Sequence, residues 1–249
     1  MVPRRGRPTR RERGPDSVTH RSLLRFVLES VEGVGVCLAV MGTWPLSKRW
    51  LRDWGAHPEE RERVWPGDAL VSPHHEAYTR AVTVSASSSD VWEWVVQFGL
   101  GRAGFYSYEL LERLAGIPVK NVESIEPSLQ SLEVGDEIQL HPNAPGIPVA
   151  SVEPGRHICF GVADAPGRAE ATPDPRRSWS IYIEPLEPDT SRLLLRGCVE
   201  PPRAPTLLKR LSLALEGPID FVMEQRMLRT IRRLAEAELP SPAQSRVLT

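Results

Sequence analysis

The densest group of residues able to do chemistry in this chain is Gly99-Leu100-Gly101-Arg102-Ala103-Gly104, followed by Tyr106, Ser107 and Tyr108. Three glycines in GxGxxG spacing can lay a dinucleotide pyrophosphate on the free N–H groups of a helix start, provided a strand precedes them and βαβ units follow. Here Val91 to Phe98 has helical spacing behind a serine-rich cap, and the chain downstream is too rich in proline for repeated βαβ units. The glycines therefore read as a tight turn between two short helices, with dinucleotide binding through Gly99–Gly104 as the alternative. Arginine can hold a carboxylate or carbonyl through paired N–H groups, and tyrosine offers a ring to an apolar ligand and a hydroxyl to its polar end. Arg102, Tyr106 and Tyr108 are accordingly candidate ligand-binding residues, against the plain alternative that they tie helices to neighbouring backbone.

Four further candidates come from the element patterns. Trp179 shares a strand face with Ile181 and Ile183, and Arg196 shares one with Leu194 and Cys198, so either could point into a cavity. Met223 and Met227 stand one helical turn apart, and flexible thioethers suit an adaptable wall as well as a core. No catalytic residue stands out. Glu109, Glu112, Asp136, His141 and Glu224 are of the right type for proton transfer, but nothing in the sequence selects among them. No GxSxG elbow and no cysteine with an evident histidine partner supports nucleophilic catalysis. The six histidines are scattered, and the pair His74-His75 reads as a solvated loop, so no metal and no cofactor is assigned.

The elements that must position these residues are legible from period and punctuation. Val82, Val84 and Ala86 alternate with Ala81, Thr83 and Ser85, as in a half-buried strand. Ser87 to Asp90 then offers an N-cap, and Trp92, Val95, Val96 and Gly99 lie on one helical face. A second helix is expected over Phe105 to Ala115, ended by Gly116 and Pro118. Fourteen prolines between Ile117 and Pro205 exclude long helices there, leaving short strands near Glu137 to His141, Val149 to Val152, His157 to Val162, Ser178 to Glu184 and Arg192 to Val199. Leu208 to Glu238 has a long helical pattern in which Leu215, Ile219, Val222, Met227, Ile231 and Leu234 share a broad face, with a kink or break expected at Gly217-Pro218.

Upstream, residues 1–21 read as an arginine-rich disordered leader, 22–52 as an apolar helical segment broken near Pro45, and 53–78 as a linker. Residues 79–238 form the main domain, and 239–249 a disordered tail. From Gly33 to Leu46 the chain is uncharged, but the run is short for a membrane span, and Glu29 and Glu32 lie just before it. Residues 26–46 are thus read as a helix packed on the domain or lying at an interface, with a membrane anchor or a cleaved signal as alternatives. Net charge is -1, which gives no global case for nucleic acid as a partner, although eight of the first 25 residues are arginine. Cys37, Cys159 and Cys198 are an odd number without close spacing, so a reducing, cytoplasmic setting is expected.

The stretches TRAVTVSASSSDVWEWVVQFGLGRAGFYSYELLERLAG, VGDEIQLHP, SWSIYIEPL, SRLLLRG and FVMEQRMLRTIRRLAEAE, with the lead-in WGAHPEERERVWPGD, resemble an uncharacterised bacterial branch of the SRPBCC superfamily, the START and polyketide-cyclase-like proteins. The resemblance implies an α+β helix-grip fold, in which a curved antiparallel sheet wraps a long C-terminal helix and two short helices follow the first strand. As function it implies binding of an apolar or amphipathic small molecule, lipid or polyketide-like, in an internal pocket. A cyclase or dehydratase using the same pocket is the alternative, and the superfamily shares no universal catalytic motif to map here. A regulatory module whose arginine-rich leader meets acidic partners is a third reading.

Overall fold

The computed structural model describes residues 15–71, 76–162, 177–200 and 207–238. The expected disorder of most of the leader and of the tail, and the His74-His75 loop, lie outside these residues.

Six strands form one antiparallel sheet in the order β1-β6-β5-β4-β3-β2. They are β1 (Glu76–Val84), β2 (Glu137–Ile138), β3 (Ile147–Glu153), β4 (His157–Gly161), β5 (Arg177–Glu187) and β6 (Thr190–Val199). The last two form a long hairpin, and β1 joins it along its whole length through pairs such as Tyr78 with Gly197 and Val82 with Leu193. The inner face carries Val82, Val84, Ile158, Phe160, Ile181, Ile183, Leu193 and Leu195. Helix α5 (Leu207–Glu238) lies across that face, contributing Met227, Leu228, Ile231, Leu234 and Ala235 to the core. A curved antiparallel sheet gripping a long terminal helix is the α+β helix-grip arrangement that the resemblance implied.

Helix α3 (Ser88–Val96) starts as its serines predict. Ser87 Oγ accepts from the Asp90 N–H at 3.2 Å, and Asp90 Oδ2 accepts from the Ser87 N–H at 3.3 Å. This reciprocal cap satisfies two donors that a helix start leaves free. Helix α4 (Glu109–Leu114) is shorter than the expected 105–115. Asn121 holds the preceding residues out of the helix: its Oδ1 accepts from the N–H groups of Phe105 (3.0 Å) and Tyr106 (2.7 Å), and its Nδ2 donates to Ser107 O.

Three other departures share a cause, the packing of one element on another. Helix α1 (Pro15–Arg52) begins earlier than residue 22 and runs unbroken through Pro45. Its neighbours Val40 and Leu51 are buried with Phe221, Val222 and Tyr108, and this contact holds the turn that proline leaves one N–H short. Helix α5 likewise continues through Gly217-Pro218, where a Cβ on Gly217 would come within 2.5 Å of Trp44 of α1. At this end of α5 Leu215 and Ile219 are exposed, contrary to the predicted face, while Phe221 turns inward against α1.

The stretch expected as linker is a cover for the outer face of the sheet. Residues 54–71 contain α2 (Pro58–Glu62) and a 3-10 turn, Pro66–Leu70. They place Trp65 over Tyr182, with ring centroids 4.3 Å apart. Two mid-strand arginines explain why the cover is needed, since both are buried and require carboxylates. Arg192 Nε donates to Glu60 at 2.6 Å, and Arg196 Nε donates to Asp68 at 2.6 Å. Removing one partner of such a desolvated pair costs roughly 3 to 5 kcal/mol, because the other charge is then left away from water without a counterion.

Candidate functional site

A cavity of about 560 Å³ lies where the C-terminal end of α1, the free ends of the β1–β6–β5 strands and the first half of α5 converge. Ligand pockets commonly measure about 300 to 1,000 Å³. Helix α1 lines it with Trp44, Lys48, Arg49 and Arg52; β1 with Glu76, Ala77, Tyr78 and Arg80; Arg177 and Val199 come from β5 and β6; and α5 adds Glu216, Gly217 and Asp220.

The floor is a charged network. Alternation along β1 puts Tyr78 and Arg80 on the same inner face as Val82. Gly197, opposite Tyr78, has no side chain because a Cβ there would lie 2.3 Å from the tyrosine ring. The space it leaves lets two aromatics converge on one acceptor: Tyr78 Oη donates to Glu224 Oε1 at 2.8 Å, and Trp179 Nε1 donates to the same oxygen at 2.9 Å. Arg80 completes the set through Glu224 Oε2. The Arg80 side chain is 3% exposed, and its guanidinium also lies 4.4 Å from the centroid of the Tyr78 ring. Burial, and next the Glu224 charge, hold the Tyr78 hydroxyl well above its usual pKa, so it is a donor and not a base.

Glu216, Asp220 and Glu224 recur every four residues along one face of α5, opposite two strand arginines. Glu216 pairs with Arg177 at 3.0 Å and Glu224 with Arg80, leaving Asp220 between them. Desolvation of the carboxyl and then the charge of Glu224 push Asp220 up to about 7, although the residue taken as a whole is exposed at the cavity wall. It is the wall group best suited to exchange a proton near neutral pH. At the rim, Lys48, Arg49 and Arg52 are exposed and have no carboxylate partner among the described residues.

The seven residues singled out from sequence fall in different places. Trp179 joins the network and stacks between Phe98 (5.2 Å) and Phe160 (5.4 Å). Arg102 donates through Nη2 to the backbone oxygens of Val96 (3.0 Å) and Leu129 (2.8 Å). Tyr106, at φ 56°, accepts from Gln97 Nε2 at 2.8 Å and is fully buried against Trp94. Tyr108 lies against Gly33 of α1 and donates to Glu32 at 3.2 Å. Arg196 is on the outer face with Asp68. Met227 is in the main core, and Met223 packs half-buried in the α1–α5 seam. Thus only Trp179 of the seven touches the network, and none of the seven lines this cavity. Arg80 and Asp220 were missed. Their signals were present: β1 alternation extended two residues upstream gives Arg80, and the four-residue spacing of acids gives Asp220.

Gly99–Gly104 is a closed loop in which the Gly99 and Gly104 N–H groups each donate to the other's carbonyl, at 3.0 and 3.1 Å. It follows a helix in an antiparallel fold and so lacks the strand and parallel units that pyrophosphate binding needs. The three cysteines are free, Cys159 and Cys198 being buried. Among the described residues no His, Cys, Asp and Glu cluster is placed to hold a metal, and no helix is long and apolar enough to cross a membrane.

No family model matches the chain, and no curated protein does. Solved structures with a similar course of the backbone include the Zhui aromatase/cyclase from Streptomyces, at 15% identity over 68% of this chain and 98% of that one, with a TM-score of 0.36. The Polyketide_cyc-like protein from Corynebacterium glutamicum is 15% identical over 69% of this chain and 98% of that one, at 0.33. A protein from Arthrobacter aurescens is 18% identical over 72% and 92%, at 0.34.

Proposed function

We propose that the protein binds an amphipathic small molecule with an anionic head in the cavity between α1, the strand ends and α5. The observation that carries this reading is the composition of the wall. Trp44, Ala77, Tyr78 and Val199 supply apolar surface, while the cations at the rim, Lys48, Arg49 and Arg52, have no carboxylate partner among the described residues. The two strand arginines of the wall, buried Arg80 and exposed Arg177, are already paired with Glu224 and Glu216, so an incoming charge meets its complement at the mouth and its apolar part goes inward. The test is displacement of a fluorescent fatty-acid probe from the full chain, comparing a long-chain fatty acid with its methyl ester. The acid should compete at least about tenfold better, and Lys48→Glu with Arg52→Glu should abolish the difference. Equal competition by acid and ester, before and after substitution, refutes the anionic head.

Asp220 favours a second reading, an acid–base enzyme of the cyclase or dehydratase type. A carboxyl that titrates near neutrality in a pocket wall can move a proton at a bound carbonyl or hydroxyl. Native mass spectrometry of wild type and Asp220→Asn, purified from the source organism, separates the readings. A retained molecule heavier by one water in the variant supports dehydration; identical ligands in both support binding alone.

A further inference from the structure

Helix α1 turns its charged side chains toward the domain, where Arg25, Glu29 and Glu32 pair at a partly exposed seam, and its apolar side chains outward. Glu29 and Glu32 turn to Arg226 of α5 (3.2 and 3.7 Å), and Arg25 pairs with Glu123 at 2.6 Å. Gly33 admits the Tyr108 ring, and Val40 and Leu51 close the seam with α5. The opposite side presents Leu24, Val27, Leu28, Val31, Val34 and Leu38 at helical spacing, with Leu28, Val31 and Leu38 65–68% exposed. Leu46 is 93% exposed, and no charged residue interrupts this face from Leu23 to Leu46. A soluble helix buries such a stripe and exposes its charges.

We infer that this face of α1 lies in the headgroup region of an anionic lipid bilayer, parallel to its surface. Charge and width select this occupant over a second copy of the chain. A helix–helix seam is a narrow stripe flanked by charged positions that set register. Here the apolar face is broad, because Val27 and Val34 widen the Leu24–Leu28–Val31–Leu38 row; Arg25, Glu29 and Glu32 flank it on the domain side alone, and further charges stand at its ends. Lys48, Arg49 and Arg52 follow it with Trp50, 65% exposed, and six of the arginines in the leader precede it, at Arg4, Arg5, Arg7, Arg10, Arg11 and Arg13. An apolar helical face with basic ends and an interfacial tryptophan suits anionic headgroups above acyl chains. The inward ion pairs to Arg226 and Glu123 tie α1 to the domain, so it rests on the bilayer and does not span it. Lys48, Arg49 and Arg52 also rim the cavity, and the stripe variants below leave them intact, so the test does not depend on what the cavity binds.

The experiment is co-sedimentation of the full chain with vesicles of phosphatidylcholine, with and without phosphatidylglycerol. Wild type should pellet with the phosphatidylglycerol vesicles and be released by salt. Val31→Glu with Leu38→Glu, at exposed positions, should keep the wild-type melting curve and lose binding by at least about tenfold. Leu28→Gln with Leu38→Gln, a milder pair, should also weaken binding, and it replaces the glutamate pair if that fails to fold. Three results would overturn the inference: wild type left in the supernatant, stripe variants that bind as well as wild type, or a wild-type dimer in sedimentation equilibrium that the stripe variants dissociate.

Discussion

Glu224→Gln should destabilise the protein by about 3 kcal/mol, through Arg80 and not through any lost contact of its own. Glutamine keeps the shape of the side chain and can still accept from Tyr78 and Trp179. It cannot neutralise a guanidinium whose side chain is 3% exposed and whose remaining bond is a 3.4 Å contact from Nε to Leu51 O. Breaking a buried pair from one side costs roughly 3 to 5 kcal/mol. The low end applies because Asp220, one turn away, is held up partly by the charge of Glu224. Without that repulsion it ionises more readily and supplies some of the missing countercharge. For a chain of this size 1 kcal/mol shifts the melting temperature by roughly 2 to 4 °C, so Glu224→Gln should melt about 6 to 12 °C below wild type by circular dichroism. The control is Arg80→Met with Glu224→Leu, which removes both charges and should recover most of the loss. A Glu224→Gln protein melting within about 2 °C of wild type, or a double variant less stable than it, would refute a desolvated, mutually dependent pair.

Asp220 makes stability depend on pH with a defined sign. Its folded pKa of about 7 lies above the unfolded value of about 3.9, so its contribution is fully present below the unfolded pKa and is lost as pH rises to about 7. Asp220→Asn should flatten that fall in urea titrations across the same window; an unchanged slope sinks the assignment. Asp68 acts oppositely: burial alone would raise its carboxyl, but bonds from Arg196 and the Trp65 N–H outweigh it and hold the pKa low. Its stabilisation should therefore be lost on acidification, and Asp68→Ala, which strands Arg196, should cost roughly 3 to 5 kcal/mol in denaturant unfolding. Met227→Ala, at a core position 3% exposed, should cost roughly 2 to 5 kcal/mol by the same measurement, and a much smaller loss would mean that it borders a cavity. Tyr106→Phe removes only the acceptor for Gln97 Nε2, so it should cost roughly 0.5 to 1.5 kcal/mol and leave probe binding in the cavity unchanged.

Local rules were sufficient wherever one element answers to its own residues. The serine cap of α3, the alternation of β5 and β6 and the long pattern of α5 are read from neighbours a few positions away, and these determine a strand, short helices, a hairpin-rich run and a terminal helix. The tight turn at Gly99–Gly104 was legible on the same basis. What the sequence could not decide was which groups share a space. Arg196 and Arg80 are both mid-strand arginines, and only the paths of distant segments make one a tie to Asp68 across 128 residues and the other the floor of a cavity with Glu224 across 144. Pro45 and Gly217-Pro218 look like breaks because local propensity sees a lost N–H, whereas the α1–α5 contact that maintains both helices is tertiary. The outward apolar face of α1 has the same origin. The apolar run was visible, but hydrophobicity alone points such a run inward, and only the pairing of Glu29 and Glu32 with Arg226, nearly two hundred residues away in the chain, turns the charged side to the protein and the apolar side out.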